Sequence, residues 1–434
     1  SSDLDGKSPS NWDVFCRTEG KIADGSNGDV ACDHVRLYQD DVALVARLGL
    51  DAYRFSIAWT RVVPDGVGPV NAAGLDFYDR LVDELLAAGI TPLPTLYHWD
   101  LPHVLEEKGG WLNRETAYAF ADYTEAVLGG LGDRIGTWTT LNEPFVSATH
   151  GYVNGEHAPG GTSQRDGFAA SHHLLLGHGL ASERIRASAP DARLAIVLNF
   201  TPVEAASDDE SDKAAAFHQD NLDNRWYVDP IAGKGYPEET AIHLGWDMSE
   251  VRDGDLDLIA QPIDLLGVNY YTRQIIAADG QVRLPDDAPR NTMGWELHPP
   301  TLGRLLRWLH SEFEFPSILI TENGCPMPDT RRENGQIIDD DRLDFIRDHL
   351  TEVHSAIEDG CPVEGYLVWS LFDNFEWAWG YGPTFGIVEV DYETMERRPK
   401  KSADWFSGSA RANGFSLPAS QPVYLPWVSH DPNA

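Results

Sequence analysis

The chain has 434 residues and a formal net charge of -36, with 69 acidic side chains against 33 lysines and arginines. This excess of negative charge argues against nucleic acid or an anionic membrane as a partner and favours a neutral substrate. A well-solvated surface is the simplest explanation of the acidity, and adaptation to high salt is the alternative; activity measured against salt concentration separates the two.

The cysteines and the N-terminal residues indicate the expected setting of the protein. Cys16, Cys32, Cys325 and Cys361 are widely spaced and form no C-x-x-C pair, which argues against a disulfide framework or a zinc site. The first residues lack the basic and apolar regions of a signal peptide, and no later stretch reaches membrane-spanning length. We therefore expect a cytoplasmic protein, and the sequence leaves a homo-oligomer open.

Predicted helices and strands alternate along the whole chain. The helices have apolar residues at helical spacing, and the strands are short apolar runs. The predicted order is helix 29–48, strand 52–57, helix 72–88, strand 91–97, helix 114–128, strand 135–141, helix 165–188, strand 193–199, helix 213–227, strand 263–270, helix 302–312, strand 317–322, helix 340–358, strand 363–370 and helix 401–410. No linker interrupts this order, so residues 1–434 are interpreted as one domain.

The strict alternation predicts an α/β fold, a single-domain (β/α)8 TIM barrel of parallel strands covered by helices. Seven strands are identifiable, and an eighth should precede residue 29. Residues 1–28 contain only one apolar cluster, 12–15, among Gly, Ser and Asp, so the first strand is not identifiable. Either a strand lies before Ser1 or the chain is truncated. We favour the first explanation, which an intact mass above that of this chain would support.

Two glutamates close predicted strands. Glu322 follows the apolar run 318–320 and precedes a turn-forming Asn-Gly pair, and Glu143 follows strand 135–141 directly before Pro144. The carboxyl ends of the strands form the catalytic face of such a barrel, so we expect the two side chains to face each other. A glutamate at a strand end is by itself ordinarily a surface or capping residue. The pair, and neither residue alone, therefore indicates catalysis.

Polar and aromatic side chains stand at the other predicted strand ends. They are Arg54, Trp59, His98, Trp99, Asn142, Asn269, Tyr270, Tyr271 and Trp369. Several of the 14 tryptophans follow in the segment 369–379. Flat apolar rings cover the C–H faces of a pyranose, while Asn, His and Glu side chains bind its hydroxyls. The pattern therefore predicts a sugar site.

Six motifs, in this order and at this spacing, resemble the family 1 glycoside hydrolases, the β-glucosidase and β-galactosidase family. The resemblance extends from about residue 8 to 406. The motifs are Tyr53-Arg54-Phe55-Ser56, Tyr97-His98-Trp99-Asp100-Leu101-Pro102, Thr140-Leu141-Asn142-Glu143-Pro144, Asn269-Tyr270-Tyr271, Ile320-Thr321-Glu322-Asn323-Gly324 and Asn374-Phe375-Glu376-Trp377. The family normally opens with a strand that carries a sugar-binding glutamine, and this chain resembles only the part after it.

The resemblance implies a role for each matching residue. Glu322 would be the nucleophile and Glu143 the acid/base. Arg54, Asn269 and Tyr271 would position the nucleophile, and Trp295 resembles the tryptophan on the aglycone side. The residues implied to hold the glycone are His98, Trp99, Asn142, Glu376 and Trp377, with Trp369 as the stacking floor.

The implied activity is that of a retaining exo-β-glucosidase acting on small β-glucosides and oligosaccharides, as in cellulose degradation, with no metal or organic cofactor. Double displacement needs the two carboxyl groups ~5 Å apart. A β-galactosidase, a β-fucosidase and a non-catalytic sugar-binding barrel remain alternatives. A 6-phospho-β-glycosidase is less favoured because Glu376 and Trp377 offer a phosphate no cation. His172, His173 and His178 lack the i,i+4 pair of a metal site, so we interpret them as helix-packing residues.

Overall fold

The computed structural model describes residues 4–416 and 424–426, and its centre is a sheet of seven parallel strands. The strands are β1 (Ala52–Ser56), β2 (Thr91–Tyr97), β3 (Thr137–Asn142), β4 (Arg193–Phe200), β5 (Leu265–Tyr270), β6 (Ile318–Asn323) and β7 (Val363–Val368). Each strand pairs in parallel with its neighbours in chain order. The seven strands predicted from the sequence are therefore confirmed, with ends that move by at most two residues.

Helices precede, connect and follow the strands. The α-helices of six or more residues are His34–Leu48, Ala72–Ala87, Glu115–Leu131, Gln164–Ser188, Glu210–Asp220, Trp226–Ile231, Glu238–His243, Pro299–Phe313, Asp340–Glu358 and Lys401–Ala412 in the described ranges. Trp138 and Leu141 of β3 share one buried core with helix residues such as Leu174, which shows how the helices cover the sheet. The fold is thus that of a TIM barrel. Within the described ranges, no helix is long and apolar enough to cross a lipid bilayer.

Four short strand pairs, one of them parallel, form outside the central sheet. These pairs are Val203–Ala205 with Gln274–Ile276, Arg332–Glu333 with Gln336–Ile337, Val388–Asp391 with Glu396–Pro399, and Gly414–Ser416 with Tyr424–Pro426. Inside the barrel, Leu93, Ala195, Leu265, Leu319 and Leu367 from five different strands form a small apolar cluster. The assignment of the chain to a single domain stays a prediction. Residues 1–3, 417–423 and 427–434 lie outside the part of the chain that the structure describes.

The first long helix begins later than predicted. It spans His34–Leu48 and not 29–48, because Asp33 has a φ of 51°, in the left-handed region that a right-handed helix excludes. Its end is as predicted: Gly49, with a φ of 69°, provides the left-handed residue at which helices commonly stop. The predicted start was therefore wrong by five residues.

The helix predicted over 213–227 is interrupted. The structure has Glu210–Asp220, a wider π-helical turn over Asn221–Arg225, and then Trp226–Ile231. Within the turn, the Asn224 side chain binds the backbone of Thr201, donating to its carbonyl at 3.0 Å and accepting from its N–H at 2.9 Å. This long-range pairing fixes the turn against the end of β4, a constraint that helical periodicity does not reveal.

The barrel is nearly closed, with β1 and β7 as its two edges. Every residue of β5 and β6 is buried, whereas most residues of β1 and β7 are only partly buried. A cavity of about 790 Å³ lies along these edges, lined among others by Tyr53 and Tyr366. Among the described residues, no strand pairs with either outer edge. The first strand, which is not identifiable in the sequence, is accordingly not found among the described residues either.

Hydrogen exchange should distinguish the edge strands from the central ones. We expect backbone amides of β1 and β7 to exchange faster than those of β5 and β6, because each edge strand pairs with a single neighbour in the part of the chain that the structure describes. Exchange followed by peptide-resolved mass spectrometry measures this difference. Equal protection in all four strands would contradict the arrangement.

Candidate active site

The two glutamates predicted at strand ends lie on the same face of the barrel. Glu322 is the fifth residue of β6, and Glu143 directly follows β3. Their exposed fractions are only 3% and 4%. The carboxyl ends of parallel strands meet at one edge of the barrel, so both side chains enter the same space, where the charge of Glu322 acts on Glu143.

Glu322 is held by two hydrogen bonds, one to each carboxylate oxygen. Arg54 donates from Nη1 to Oε1 at 2.6 Å, and the Tyr271 hydroxyl donates to Oε2 at 2.6 Å. The side chains of Arg54 and Glu322 are 10% and 4% exposed, so this ion pair is well shielded from water. A guanidinium and a phenol that donate to opposite oxygens stabilise the charge of Glu322 and fix its orientation.

Glu143 has a different environment. Its Oε1 accepts a hydrogen bond from Asn269 Nδ2 at 2.7 Å. Burial, and secondarily the negative charge of Glu322, raises the pKa of Glu143 to about 8. A carboxyl group with that pKa is protonated at neutral pH and can donate its proton. The same face therefore holds one carboxyl group that two donors fix in place and one whose raised pKa favours its acid form.

A network of amide side chains connects the two glutamates. Asn142 Oδ1 accepts from Arg54 Nη2 at 2.7 Å and from Asn269 Nδ2 at 3.2 Å. Asn269 in turn accepts at Oδ1 from the Thr321 hydroxyl at 2.7 Å. The side-chain oxygens of Asn142 and Asn269 thus have donors, which restricts the rotamers of the residues that contact both carboxyl groups.

Aromatic rings form the side of the site next to this network. The His98 ring lies 6.2 Å from Trp369 and 6.1 Å from Trp377, nearly parallel to both. Trp99 packs on Trp377 at 4.8 Å, and its indole N–H donates to the Asn142 carbonyl at 3.1 Å. His98, Trp369 and Trp377 also line the 790 Å³ cavity. The flat faces and the nearby polar atoms suit a pyranose ring.

Burial disfavours the charged form of two titratable groups in this wall. Burial, with a further contribution from the Arg54 charge, lowers the pKa of His98 well below its usual range, and His98 Nε2 lies 3.1 Å from Asn142 Nδ2. Burial and the charge of Glu322 raise the pKa of Glu376 to about 8, although the Trp369 indole donates to it. A neutral Glu376 can both donate to and accept from sugar hydroxyls.

The structure brings together the residues to which the resemblance gives a role, whereas Trp59 and Tyr270, which were also predicted at strand ends, lie in the hydrophobic core. Trp295, which the sequence places in a long loop, lies with its ring 5.7 Å from that of Tyr271 and so borders the same site. Sequence reasoning missed Trp12 and Phe385: the Trp12 ring lies 4.7 Å from Trp377, and Phe385 lies 6.3 Å from Trp295. In the sequence Trp12 stands out only as part of the apolar cluster 12–15. A tryptophan in an otherwise turn-rich segment is the one feature that could have indicated its place beside the site.

The three neighbouring histidines have protein partners. His172 lies 3.0 Å from the Asp255 carboxylate, His173 lies 2.9 Å from the Trp111 carbonyl, and His178 lies 2.7 Å from the Thr140 hydroxyl. These contacts agree with the prediction that the histidines pack the helix. Within residues 4–416 and 424–426, no three His, Cys, Asp or Glu side chains are grouped as metal ligands.

Comparison with known proteins gives consistent matches along the chain. A family model described as glycosyl hydrolase family 1 matches residues 1–415. The thermostable beta-glucosidase B of Thermobispora bispora is 47% identical over 413 residues, which cover 93% of this chain and 85% of that protein. The beta-glucosidase of an Agrobacterium species is 43% identical over 424 residues, covering 96% and 92%. The solved structure of a family 1 β-glucosidase from Thermotoga maritima superposes with a TM-score of 0.91 at 40% identity and covers 96% of this chain and 94% of that one.

Proposed function

The chain belongs to glycosyl hydrolase family 1 and is a glycoside hydrolase, and from this premise we propose that it is a retaining exo-β-glucosidase with Glu322 as nucleophile and Glu143 as acid/base. It removes terminal β-D-glucosyl residues from small glucosides and oligosaccharides. The observation that carries the proposal is the contrast between the two buried glutamates: Arg54 and Tyr271 each donate a hydrogen bond to one carboxylate oxygen of Glu322, whereas burial and the charge of Glu322 raise the pKa of Glu143 to about 8.

In the first step, a Glu322 oxygen attacks the anomeric carbon while the bond to the leaving oxygen breaks. Glu143 gives its proton to that oxygen, so the leaving group departs as a neutral alcohol. Glu322 now carries the sugar as an ester and has lost its negative charge. Because that charge is one of the causes of the raised pKa of Glu143, the pKa falls at this stage.

In the second step, Glu143 acts as a base. It takes a proton from a water molecule, whose oxygen attacks the anomeric carbon and displaces Glu322, and the original protonation states return. Both displacements invert the anomeric carbon, so the product keeps the β configuration. The glycone is proposed to lie over Trp369 and to be bound by His98, Trp99, Asn142, Glu376 and Trp377. Trp295 is proposed to contact the leaving group.

The stereochemistry of the product tests this proposal. With 4-nitrophenyl β-D-glucoside as substrate, proton NMR should show β-glucose as the first product, followed by slow conversion to the anomeric mixture. If α-glucose forms first, the mechanism is not retaining. Binding without any turnover would instead favour the non-catalytic sugar-binding barrel, which the presence of both carboxyl groups argues against.

The preferred glycone is a finer part of the proposal. Glucose is favoured by the names of the similar proteins, and galactose and fucose are the alternatives from the sequence. A panel of 4-nitrophenyl β-glycosides compares kcat/KM among the three sugars. Cello-oligosaccharides as natural substrates, and a role in cellulose degradation, also belong to the proposal, as does a cytoplasmic location. All four cysteines are free thiols, as is usual in a reducing compartment.

Tyr271→Phe tests the positioning of the nucleophile. The change removes the hydroxyl that donates to Glu322 and leaves the ring in place. Hydrogen bonds to charged groups contribute about 1.5–3 kcal/mol, so we expect kcat to fall by about ten- to a hundredfold. Steady-state kinetics on 4-nitrophenyl β-D-glucoside measures the effect. Unchanged kcat would show that this bond has no part in catalysis.

A further inference from the structure

Arg273 forms a shielded ion pair beside the site, and the mechanism described above does not use it. It follows β5 closely, two residues after Tyr271. Its Nε and Nη2 donate to the two carboxylate oxygens of Glu296 at 2.8 and 3.0 Å. The side chains are 11% and 4% exposed. The planar guanidinium thus engages Glu296 with two parallel hydrogen bonds, a geometry that fixes direction as well as distance.

Glu296 is the residue next to Trp295, so the ion pair acts on the segment that carries this ring. A second bond joins the same two segments: the Thr272 hydroxyl donates to the Glu296 carbonyl at 3.0 Å. The Trp295 ring lies against Tyr271, whose hydroxyl binds the nucleophile. The position of Trp295 relative to the end of β5 therefore depends on what holds Glu296.

Removing Arg273 would leave Glu296 buried without its main partner. The Arg273 hydrogen bonds are the largest cause of the lowered pKa of Glu296, which agrees with a carboxylate adapted to this cation. A buried carboxylate without its cation is strongly unfavourable, so the loop has to move until Glu296 reaches water. Because Trp295 adjoins Glu296, the indole would move with it.

We propose that Arg273 is a positioning residue that sets the preference for the leaving group: through Glu296 it holds the Trp295 indole as a platform for flat leaving groups, namely aryl rings and the second sugar of a disaccharide. This inference rests on the proposed β-glucosidase function and deepens it. Arg273 itself touches neither the nucleophile nor the acid/base in the structure.

The test compares leaving groups that can and cannot reach Trp295. In Arg273→Met, we expect KM for 4-nitrophenyl β-D-glucoside and for cellobiose to rise by about tenfold, the scale of one lost aromatic contact. For β-D-glucosyl fluoride, whose leaving group is a single atom, kcat/KM should stay within about twofold of wild type. Arg273→Lys keeps the charge without the two-pronged geometry and should give an intermediate effect.

Arg304→Met is the matched control. Arg304 also pairs with Glu204, as Arg273 does, but it is 56% exposed and forms no hydrogen bond to Glu296 in the described structure. We expect this variant to keep wild-type kinetics on all three substrates. If Arg273→Met does not fold, Glu296→Gln, which keeps the shape of the side chain and removes its charge, should produce the same selective rise in KM.

The outcomes separate this inference from the proposed function. Equal losses of kcat/KM on the fluoride and on the two larger substrates would overturn the inference, because they would mean a general effect on the nucleophile or the fold. Unchanged kinetics in both Arg273→Met and Glu296→Gln would overturn it as well. A wild-type protein without activity on any of the β-glucosides would refute the proposed function instead.

Discussion

Glu322→Ala is expected to lower kcat on 4-nitrophenyl β-D-glucoside by at least about 10⁴-fold, the scale on which the loss of a catalytic nucleophile acts. The variant lacks the oxygen that attacks the anomeric carbon, and the rest of the site can still bind the substrate. Steady-state kinetics measures the loss. Because the substitution removes only the attacking carboxylate and leaves the sugar-binding residues in place, KM should change far less than kcat.

Adding azide to the Glu322→Ala variant is a second test of the nucleophile assignment. The space left by the missing carboxylate can admit this small anion, which would attack the anomeric carbon from the side that Glu322 occupies. We expect azide to restore part of the activity and to give α-glucosyl azide, the product of a single inversion. Glu364→Ala serves as the control: Glu364 lies near the start of β7, pairs with Arg193, and should be dispensable for activity. Activity of Glu322→Ala equal to wild type would refute the assignment.

Glu143→Gln should affect substrates according to their leaving groups. General acid catalysis contributes about 10²–10⁴-fold, so we expect a kcat/KM loss of that size with cellobiose, whose leaving sugar needs a proton. With 2,4-dinitrophenyl β-D-glucoside the departing phenolate needs none, and kcat/KM should fall little. The second step still lacks its base, so kcat should fall and azide should increase it, now giving β-glucosyl azide. An equal loss of kcat/KM on both substrates would contradict the acid/base role.

The pH profile of the same pair of proteins gives an independent check. The acid form of Glu143 is required for the first step, and its pKa is raised to about 8. For the wild type, kcat/KM should therefore be maintained below that value and fall as the pH rises through it. In Glu143→Gln the part of this limb that belongs to Glu143 should be absent, because glutamine does not titrate; a limb that remains belongs to Glu376, whose pKa is also raised to about 8. A limb of the same position and steepness in both proteins would contradict the role of Glu143.

The fold could be predicted from the sequence because each strand is a short apolar run and each helix has an apolar stripe. Those signals depend on burial, which the barrel imposes on every strand. Where the prediction was wrong, one residue or one distant contact decided the outcome. The left-handed conformation of Asp33 makes the first long helix begin later than predicted, and the bond between Asn224 and Thr201 accompanies the break in the helix predicted over 213–227. Neither feature changes the spacing of the apolar residues, so hydrophobic periodicity does not predict it.

The location of the site followed from the strand ends, but its geometry did not. The bond between Arg54 and Asn142 joins residues 88 positions apart, and the one between Asn269 and Asn142 joins residues 127 apart. Trp99, Glu143 and Trp377 have φ values of 80°, 46° and 48°, a region that is costly for residues with a side chain. Their surroundings must hold them there, and no local sequence preference indicates it. The roles of the residues came from the resemblance of six motifs to one family.

The most direct measurement of the central claim is to trap the covalent intermediate. A 2-deoxy-2-fluoro-β-D-glucoside with a dinitrophenyl leaving group reacts in the first step and is slow in the second, because the fluorine disfavours the charged transition state. The mass of the protein should increase by one fluoroglucosyl group, and peptide mapping should find it on Glu322. A label on any other residue, or continued turnover of natural substrates by the fully labelled protein, would contradict the account.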